Sequence, residues 1–439
     1  MSVEKMVLNQ LPESVIGFTT SWLSNTDLYN LSVTSKDIKQ ILELADKDVY
    51  LSPYYSARYM NDHYFKNKIN DILKKRNTNL NLNFGFENDL KTFPNLSSVH
   101  KLIELNLGEI YYNIPKNLEK VLPPNLQKLK LSCSLGTDFP AFPDLSSLNK
   151  LIDLDLYGEM KSYVLLRSNN IIEFLPLNLE KLKLSGFYFQ TFPDLSALVK
   201  LIELDLGKNE LTSPDDNNLG KLFPQNLRVL RLGSSFGMTT FPDLTCLDKL
   251  VELDLNDNFP IFTWTEMSTI PDPRNIGKLL PINLEKLDLR NCRLKTFPDL
   301  SALVKLIDLD LGKNELTSPD DNNVGKLFPQ NLRVLRLGSA YGMETFPDLS
   351  CLDKLVELDL NDNFPIFQWT PLTNIPDPIN IGKLLPINLE KLDLRNCGLK
   401  TFPNLKMLNK LVEIDLTDND INIPENMEDL LPPSMDFEE

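Results

Sequence analysis

The sequence is poor in the residues that catalysis and metal binding most often recruit. Its 439 residues contain two histidines, His63 and His100, and neither lies near paired cysteines. Histidine-based catalysis and structural zinc therefore lack support. The five cysteines (Cys133, Cys246, Cys292, Cys351, Cys397) are scattered without a C-x-x-C pair, which fits a reducing compartment where thiols serve as small buried residues. No apolar run approaches the roughly 20 residues that span a bilayer. The opening MSVEKMVLNQLPES has no apolar core leading to a small-residue cleavage site, so neither a membrane role nor a secretory signal is expected. A phosphate loop and a dinucleotide glycine fingerprint are also missing. Positive charge is in deficit: 45 Lys and Arg face 61 Asp and Glu, a formal net charge of −16. Nucleic acid is a poor partner for such a chain; a basic or neutral protein suits it better, and no cofactor is expected.

What the sequence has in quantity is repetition. The pattern L-x-x-L-x-L returns thirteen times between Leu102 and Leu416, at spacings of 22 to 34 residues, with Ile414 as one variant. A period of this size means one supersecondary unit stacked on copies of itself, because a single unit cannot bury its apolar face alone. Alternation within L-x-L predicts a short strand with one face buried. The units are of two kinds. One opens on a phrase such as Thr191-Phe-Pro-Asp-Leu195 and runs into Leu201-Ile-Glu-Leu-Asp-Leu206; the other passes through proline and asparagine, as in Leu280-Pro-Ile-Asn-Leu284. Proline there stops a preceding helical turn, and Asp194, Asp243, Asp299 and Asp348 are placed to cap a helical turn on the side away from the strands. Asparagine is abundant throughout, which reads as the mark of an AT-rich genome more than of a local structural demand, and it carries no functional evidence.

A longer period is superimposed: Leu201, Leu306 and Leu411 are 105 residues apart, and residues 191–292 and 296–397 differ at twelve positions. Four units were duplicated as a block. Two longer units insert Asn258 to Pro273, with Trp264, and Asn363 to Pro378, with Trp369. These tryptophans are candidate binding anchors, or else pack down on the edge of the array. Asp215 to Gly220, repeated at Asp320 to Gly325, superficially suggests a calcium loop, but Leu219 or Val324 stands at the fifth position and no glutamate at the twelfth.

The units resemble the leucine-rich-repeat family, whose motif continues L-x-x-L-x-L-x-x-N/C-x-L. Leu201 to Leu211 carries Asn209 in the polar slot, Leu306 to Leu316 carries Asn314, and Cys292 and Cys397 occupy it elsewhere; Ile110, Glu159 and Phe187 interrupt it. The resemblance implies an α/β fold, a horseshoe solenoid whose concave side is a parallel β-sheet, over residues 79–439. On that face the strand positions would display Glu203 and Asp205, Val229 and Arg231, Glu252 and Asp254, Lys286 and Asp288, then Asp308 and Asp310, Val334 and Arg336, Glu357 and Asp359, Lys391 and Asp393. Opposite charges on neighbouring strands would screen one another sideways; alternatively the mainly acidic face attracts a basic target.

Ahead of the array, residues 1–49 read as short helices, and 50–78 as a helical linker rich in tyrosine. The first stretch resembles an F-box. Leu11-Pro12, Leu23, Asp27-Leu28, Leu31 and Ser35-Lys36 fall at the motif's spacing, while Thr19, Thr34 and Ile38 depart from it. The combination is similar to F-box/leucine-rich-repeat proteins, including repeat-rich versions encoded by giant viruses of amoebae. This implies a non-enzymatic substrate receptor of an SCF-type ubiquitin ligase, acting in the cytoplasm, which would be the host's if the protein is viral. A Skp-type adaptor would be held by Leu11, Pro12, Val15, Ile16, Leu23, Leu28, Leu31 and Lys36, and a target by the repeats. The other reading is a binding scaffold or decoy whose first residues only cap the array. A catalytic-cysteine ligase would need a globular domain outside the repeats, and Pro424 to Pro433 instead resembles the approach to another repeat.

Overall fold

The computed structural model describes residues 48–84, 93–110, 115, 117–133, 142–158, 168–212, 219–235, 238, 241–258, 273–317, 323–340, 343, 346–363, 378–425 and 427–435. The F-box-like residues 11–36 and both inserted tryptophans lie outside them. The chain divides into two compact units: Met1–Val164 with Glu173–Leu184, and Leu165–Ile172 with Ser185–Glu439. Each is built as a parallel-sheet solenoid.

The first unit starts with β1 (Val49–Leu51), then α1 (Pro53–Asn61), α2 (His63–Arg76), β2 (Leu80–Asn83), β3 (Leu102–Ile110), β4 (Lys128–Cys133) and β5 (Asp153–Gly158), followed by β6 (Lys181–Ser185). Pro53 fits the first turn of α1, where its missing N–H costs nothing. The Asp62 side chain accepts the Phe65 N–H to start α2, and Asn77 ends it in the left-handed region. Phe65, Ile69 and Leu73, spaced by four, make the buried stripe of α2. Tyr59 donates to Asn70 at 2.7 Å, joining the two helices. Strand β1 pairs parallel with β2 through Val49, Tyr50 and Leu51, so the sheet is already under way at the boundary between the expected helical module and linker.

In the second unit the strands shrink to three residues: β7 (Glu203–Asp205), β8 (Val229–Arg231), β9 (Glu252–Asp254), β10 (Lys286–Asp288), β11 (Asp308–Asp310), β12 (Val334–Arg336), β13 (Glu357–Asp359), β14 (Lys391–Asp393) and β15 (Glu413–Asp415). Each pairs parallel with the next in unbroken register. The central leucines from Leu204 to Leu392 are buried. Burial of each is worth about 1.5–3 kcal/mol, and stacking leucine on leucine makes one continuous core.

Both ends of these strands are set locally. Beyond them stands a residue with positive φ in every turn: Lys208, Ser234, Asp257, Asn291, Lys313, Ser339, Asp362, Asn396 and Asp418. None is β-branched, as the left-handed region requires. The next position is the polar slot. Asn314 Oδ1 accepts the N–H groups of Cys292 and Leu294, and its Nδ2 donates to Leu289, Leu311 and Gly312 carbonyls. Asn209, Asn258, Asn363 and Asn419 make equivalent bonds, each serving its own turn and the one before or both strands' trailing carbonyls. Cys292 and Cys397 donate through Sγ to the Leu255 and Leu360 carbonyls. Phe187 interrupts the ladder as expected, buried and stacked on Phe189 at 5.5 Å.

Away from the strands the two kinds of unit differ. Units with proline before asparagine carry 3-10 helices, at Leu219–Leu222, Pro273–Leu279, Val324–Leu327 and Pro378–Leu384. Pro224, Pro281, Pro329 and Pro386 follow them, as the sequence reading requires. The Phe-Pro-Asp units form turns rather than the expected helical turns. Asp194, Asp243, Asp299 and Asp348 accept the N–H and hydroxyl of the residue two positions on, closing Asx-turns. The Leu198 and Leu201 N–H groups then donate to the Leu195 and Leu198 carbonyls, so the segment continues as successive tight turns up to the strand. The two kinds interlock: the N–H groups of Leu195, Leu244, Leu300 and Leu349 donate to the carbonyls of Leu222, Leu279, Leu327 and Leu384, at the ends of the following 3-10 helices. On their other side, Gly277 and Gly382 let their 3-10 helices approach the turn that follows, since a Cβ would lie 2.3 Å from the Asp299 or Asn404 carbonyl oxygen.

Asparagine has a second recurrent task that the sequence did not disclose. Asn226, Asn283, Asn331 and Asn388, just ahead of their strands, donate to the carbonyls of Val199, Asp248, Val304 and Asp353 in the preceding turn. Asn125 and Asn178 do so in the first unit.

The ladder separates two substitutions. Asn314→Ala strips partners from two buried N–H groups and should cost about 2–4 kcal/mol in urea denaturation. Ser235→Ala should be neutral or slightly stabilising: the Ser235 hydroxyl is buried without a partner, and Ala340 fills the corresponding slot of the duplicate block.

Candidate functional site

The strand residues that flank each buried leucine form two parallel rows on the solvent-facing side of the sheet. In the second unit the first row reads Glu203, Val229, Glu252, Lys286, Asp308, Val334, Glu357, Lys391, Glu413. The second reads Asp205, Arg231, Asp254, Asp288, Asp310, Arg336, Asp359, Asp393, Asp415. All fourteen charged strand residues singled out in the sequence therefore share one surface, and the repeat register puts them there. Glu413 and Asp415 extend it and were not singled out, although the Leu411 unit was counted among the repeats.

Arginine crosses between the rows. Arg231 reaches Glu203 at 2.7 Å and Glu252 at 2.6 Å, on the strands either side. Arg336 reaches Asp308 at 2.7 Å and Glu357 at 3.4 Å. Burial opposes charge on both guanidiniums, yet these carboxylates hold them above the ordinary arginine range. The sideways screening expected from the sequence is present at these two strands.

Lys391 likewise reaches Glu413 on the next strand at 2.7 Å, but along the second row aspartates also stand side by side. Asp254, Asp288 and Asp310 are consecutive in the second row, as are Asp359, Asp393 and Asp415. Each carboxylate accepts the N–H two residues on, those of Asn256, Arg290, Gly312, Asn361, Arg395 and Thr417. The aspartates are thus part of the turn that ends each strand as well as part of the surface. Burial pushes the Asp254 carboxyl up to about 6; the Asn256 N–H opposes this, Asp288 and Asp205 add to it, and Arg231 works against it. Burial likewise raises Asp310 and Asp359, against the Gly312 and Asn361 N–H groups, with Asp288 and Asp393 respectively adding to the rise.

The first unit has its own pair of rows: Glu104, Lys128 and Asp153, beside Asn106, Lys130 and Asp155. Lys130 pairs with Asp155 at 3.0 Å, and Lys128 lies 3.8 Å from Glu104. The motifs at Leu102, Leu126 and Leu151 carried this signal, although the sequence reading placed its candidates only from Glu203 onward.

Among the described residues no group of three or more His, Cys, Asp and Glu could hold a metal ion, and no helix is long and apolar enough to cross a membrane. Cys292 and Cys397 are buried. Burial raises the Cys292 thiol far above its usual range and pushes Cys397 up to about 12, so neither forms a reactive thiolate. Leu11, Pro12, Val15, Ile16, Leu23, Leu28, Leu31, Lys36, Trp264 and Trp369 lie outside the described residues.

The Leucine Rich Repeat family model matches residues 283–303. The match spans the buried Leu284, Leu287 and Leu289, the slot residue Cys292 and the turn that follows. This is a leucine-rich-repeat solenoid. Among solved structures it is similar to the Leptospira interrogans leucine-rich-repeat protein LIC12759, with 25% identity and a TM-score of 0.60, over 92% of this chain and 91% of that one. It also resembles the leucine-rich-repeat ectodomain of the Arabidopsis thaliana receptor kinase GASSHO1/SCHENGEN3, solved with Casparian strip integrity factor 2. That match has 24% identity and a TM-score of 0.50, covering 82% of this chain and 41% of that one. TLR13, solved in complex with ssRNA13, gives 24% identity and a TM-score of 0.52, covering 91% of this chain and 51% of that one. The solenoid thus spans about half or less of the last two, and those likenesses concern the fold alone. No curated protein matches the sequence.

The arginine bridges yield a measurable expectation. Arg231→Gln leaves Glu203 and Glu252 without their shared cation and should lower stability by about 1 kcal/mol, with the loss shrinking at high salt. Urea denaturation of the variant and parent at low and high ionic strength checks it.

Proposed function

We propose that this leucine-rich-repeat solenoid recruits a protein target through the charged rows of its sheet and delivers it to an SCF-type ubiquitin ligase. The observation that carries the binding half is the unbroken register of β7 to β15, which turns nine strands into one ordered surface. Repeat solenoids characteristically use such extended faces for binding, and nine strands at about 4.8 Å spacing offer more than enough room for a standard protein interface. The excess of carboxylates over cations in the second row favours a basic target. The delivery half rests on the resemblance of Leu11-Pro12, Leu23, Asp27-Leu28, Leu31 and Ser35-Lys36 to an F-box, which would hold a Skp-type adaptor. Such a subunit contributes recognition rather than chemistry and works in the cytoplasm, the host's in the viral case.

The two halves are tested separately. The intact protein should capture a Skp-type adaptor in pull-down, and a variant lacking residues 1–45 should not; failure of the intact protein to do so would leave a scaffold or decoy without ubiquitin engagement. For the surface, a lysine-rich peptide titrated against the full chain should bind about tenfold more weakly after joint replacement of Asp254, Asp310 and Asp359 by asparagine. Asparagine keeps the backbone hydrogen bond, so unchanged affinity would count against an acidic recognition face.

A further inference from the structure

The second row carries a charge arrangement that its neighbours avoid. On β8 and β12 an arginine separates the aspartates of adjacent strands, Asp205 from Asp254 and Asp310 from Asp359. Across β9, β10 and β11 nothing does: Asp254, Asp288 and Asp310 stand in direct register at strand spacings of about 4.8 Å. They cannot relieve the repulsion by turning outward, because each Oδ1 is tied to the N–H of Asn256, Arg290 or Gly312. All three are half-buried.

The surroundings of Asp254 are defined on every side. Arg231 faces it from β8 but has its nearest contacts with Glu203 and Glu252. Glu252 shares its strand, Asp205 stands two strands away on β7, and Asp257 follows in the turn. From β10 it meets Asp288, beside Lys286 in the other row. Arg290 lies 4.0 Å from Asp288, at the limit of an ion pair. The balance around Asp254 is acidic.

We propose that the carboxylate row Asp254–Asp288–Asp310 is a proton-responsive element: between neutral and mildly acidic pH it takes up a proton, which relieves like-charge stacking across β9–β11 and removes negative charge from the exposed sheet face. A proton on any one of the three lessens the repulsion felt by the others. Asp254, whose carboxyl sits at about 6, is the first to accept it. Duplication has produced a second row, Asp359–Asp393–Asp415, which differs: Asp415 is bonded to the Thr417 hydroxyl as well as its N–H, and these bonds hold it below the ordinary aspartate range. The first row is therefore the more responsive of the two. The proposal does not depend on what the sheet binds.

The sign of the effect is fixed. A carboxyl raised in the folded state binds protons more tightly there than in the unfolded chain, so its ionisation destabilises the fold at neutral pH. That penalty is relieved as pH falls through about 6 toward the unfolded value near 4. The test compares urea midpoints of the full-length parent and Asp254→Asn from about pH 7.5 down to about pH 4.5. At the upper end the variant, which keeps the Asn256 bond without the charge, should be the more stable. Its advantage should shrink as the parent becomes protonated, a relative shift in melting temperature of about 2 °C if followed by heat. Parallel curves over the whole window would overturn the proposal. Should Asp254→Asn fail to fold, carboxyl NMR of the aspartate-labelled parent decides. A row midpoint well above 4 supports the proposal, and all three carboxyls titrating near 4 overturns it.

Discussion

The molecule depends on one geometrical demand: the leucine at the centre of each strand must lie directly over the leucine of the next turn. Parallel pairing at about 4.8 Å leaves no room for a register error, because a shift of one residue would place the flanking charges in the core. The strand is held to three residues by a proline-bounded turn before it and a left-handed residue after it. The polar slot then fastens the exit. Asn314 alone satisfies two N–H groups and meets three carbonyls across adjoining turns. Unit length is free to vary, from 22 to 34 residues, because only the strand, its turn and the slot must superpose.

The same demand arranges the surface. When every strand is in register, whatever flanks the leucine is lined up with its equivalents whether or not the charges agree. Arg231 and Arg336 turn that obligation into stabilisation by spanning carboxylates on both sides. Between them the aspartates have no such relief, yet they end each strand through the bond to the N–H two residues on. A residue needed to close a turn thus also sets the charge of the face. This dual use keeps aspartate in place where electrostatics alone would disfavour it.

Much of this was legible in the residue order. The L-x-x-L-x-L period located every strand from β3 onward, Asn209, Asn314, Cys292 and Cys397 were recognisable in the slot, and Phe187 was identified as an interruption. The charged pairs from Glu203 to Asp393 were read as neighbours on one face. Other features were hidden because their reason lies in a different turn. Asn226 looks like one more asparagine until the Val199 carbonyl is found beside it. Asp194 has the character of a helix cap, but its partner two residues on closes an isolated turn. Strand β1 carries no leucine motif, and only its pairing with β2 reveals it.

Periodicity by itself determined that this chain is a stack of repeats, that its leucines point inward and that its charges lie on one face, since those follow from spacing and side-chain alternation within a single unit. Only the tertiary structure decided which charges meet. Arg231 takes Glu203 and Glu252 while Asp254 is left facing Asp288, a choice that depends on side-chain reach and on hydrogen bonds between turns more than 20 residues apart in sequence. Local pattern specifies the unit; contact between units specifies the surface, because a solenoid's exposed face is made from residues that no single repeat contains.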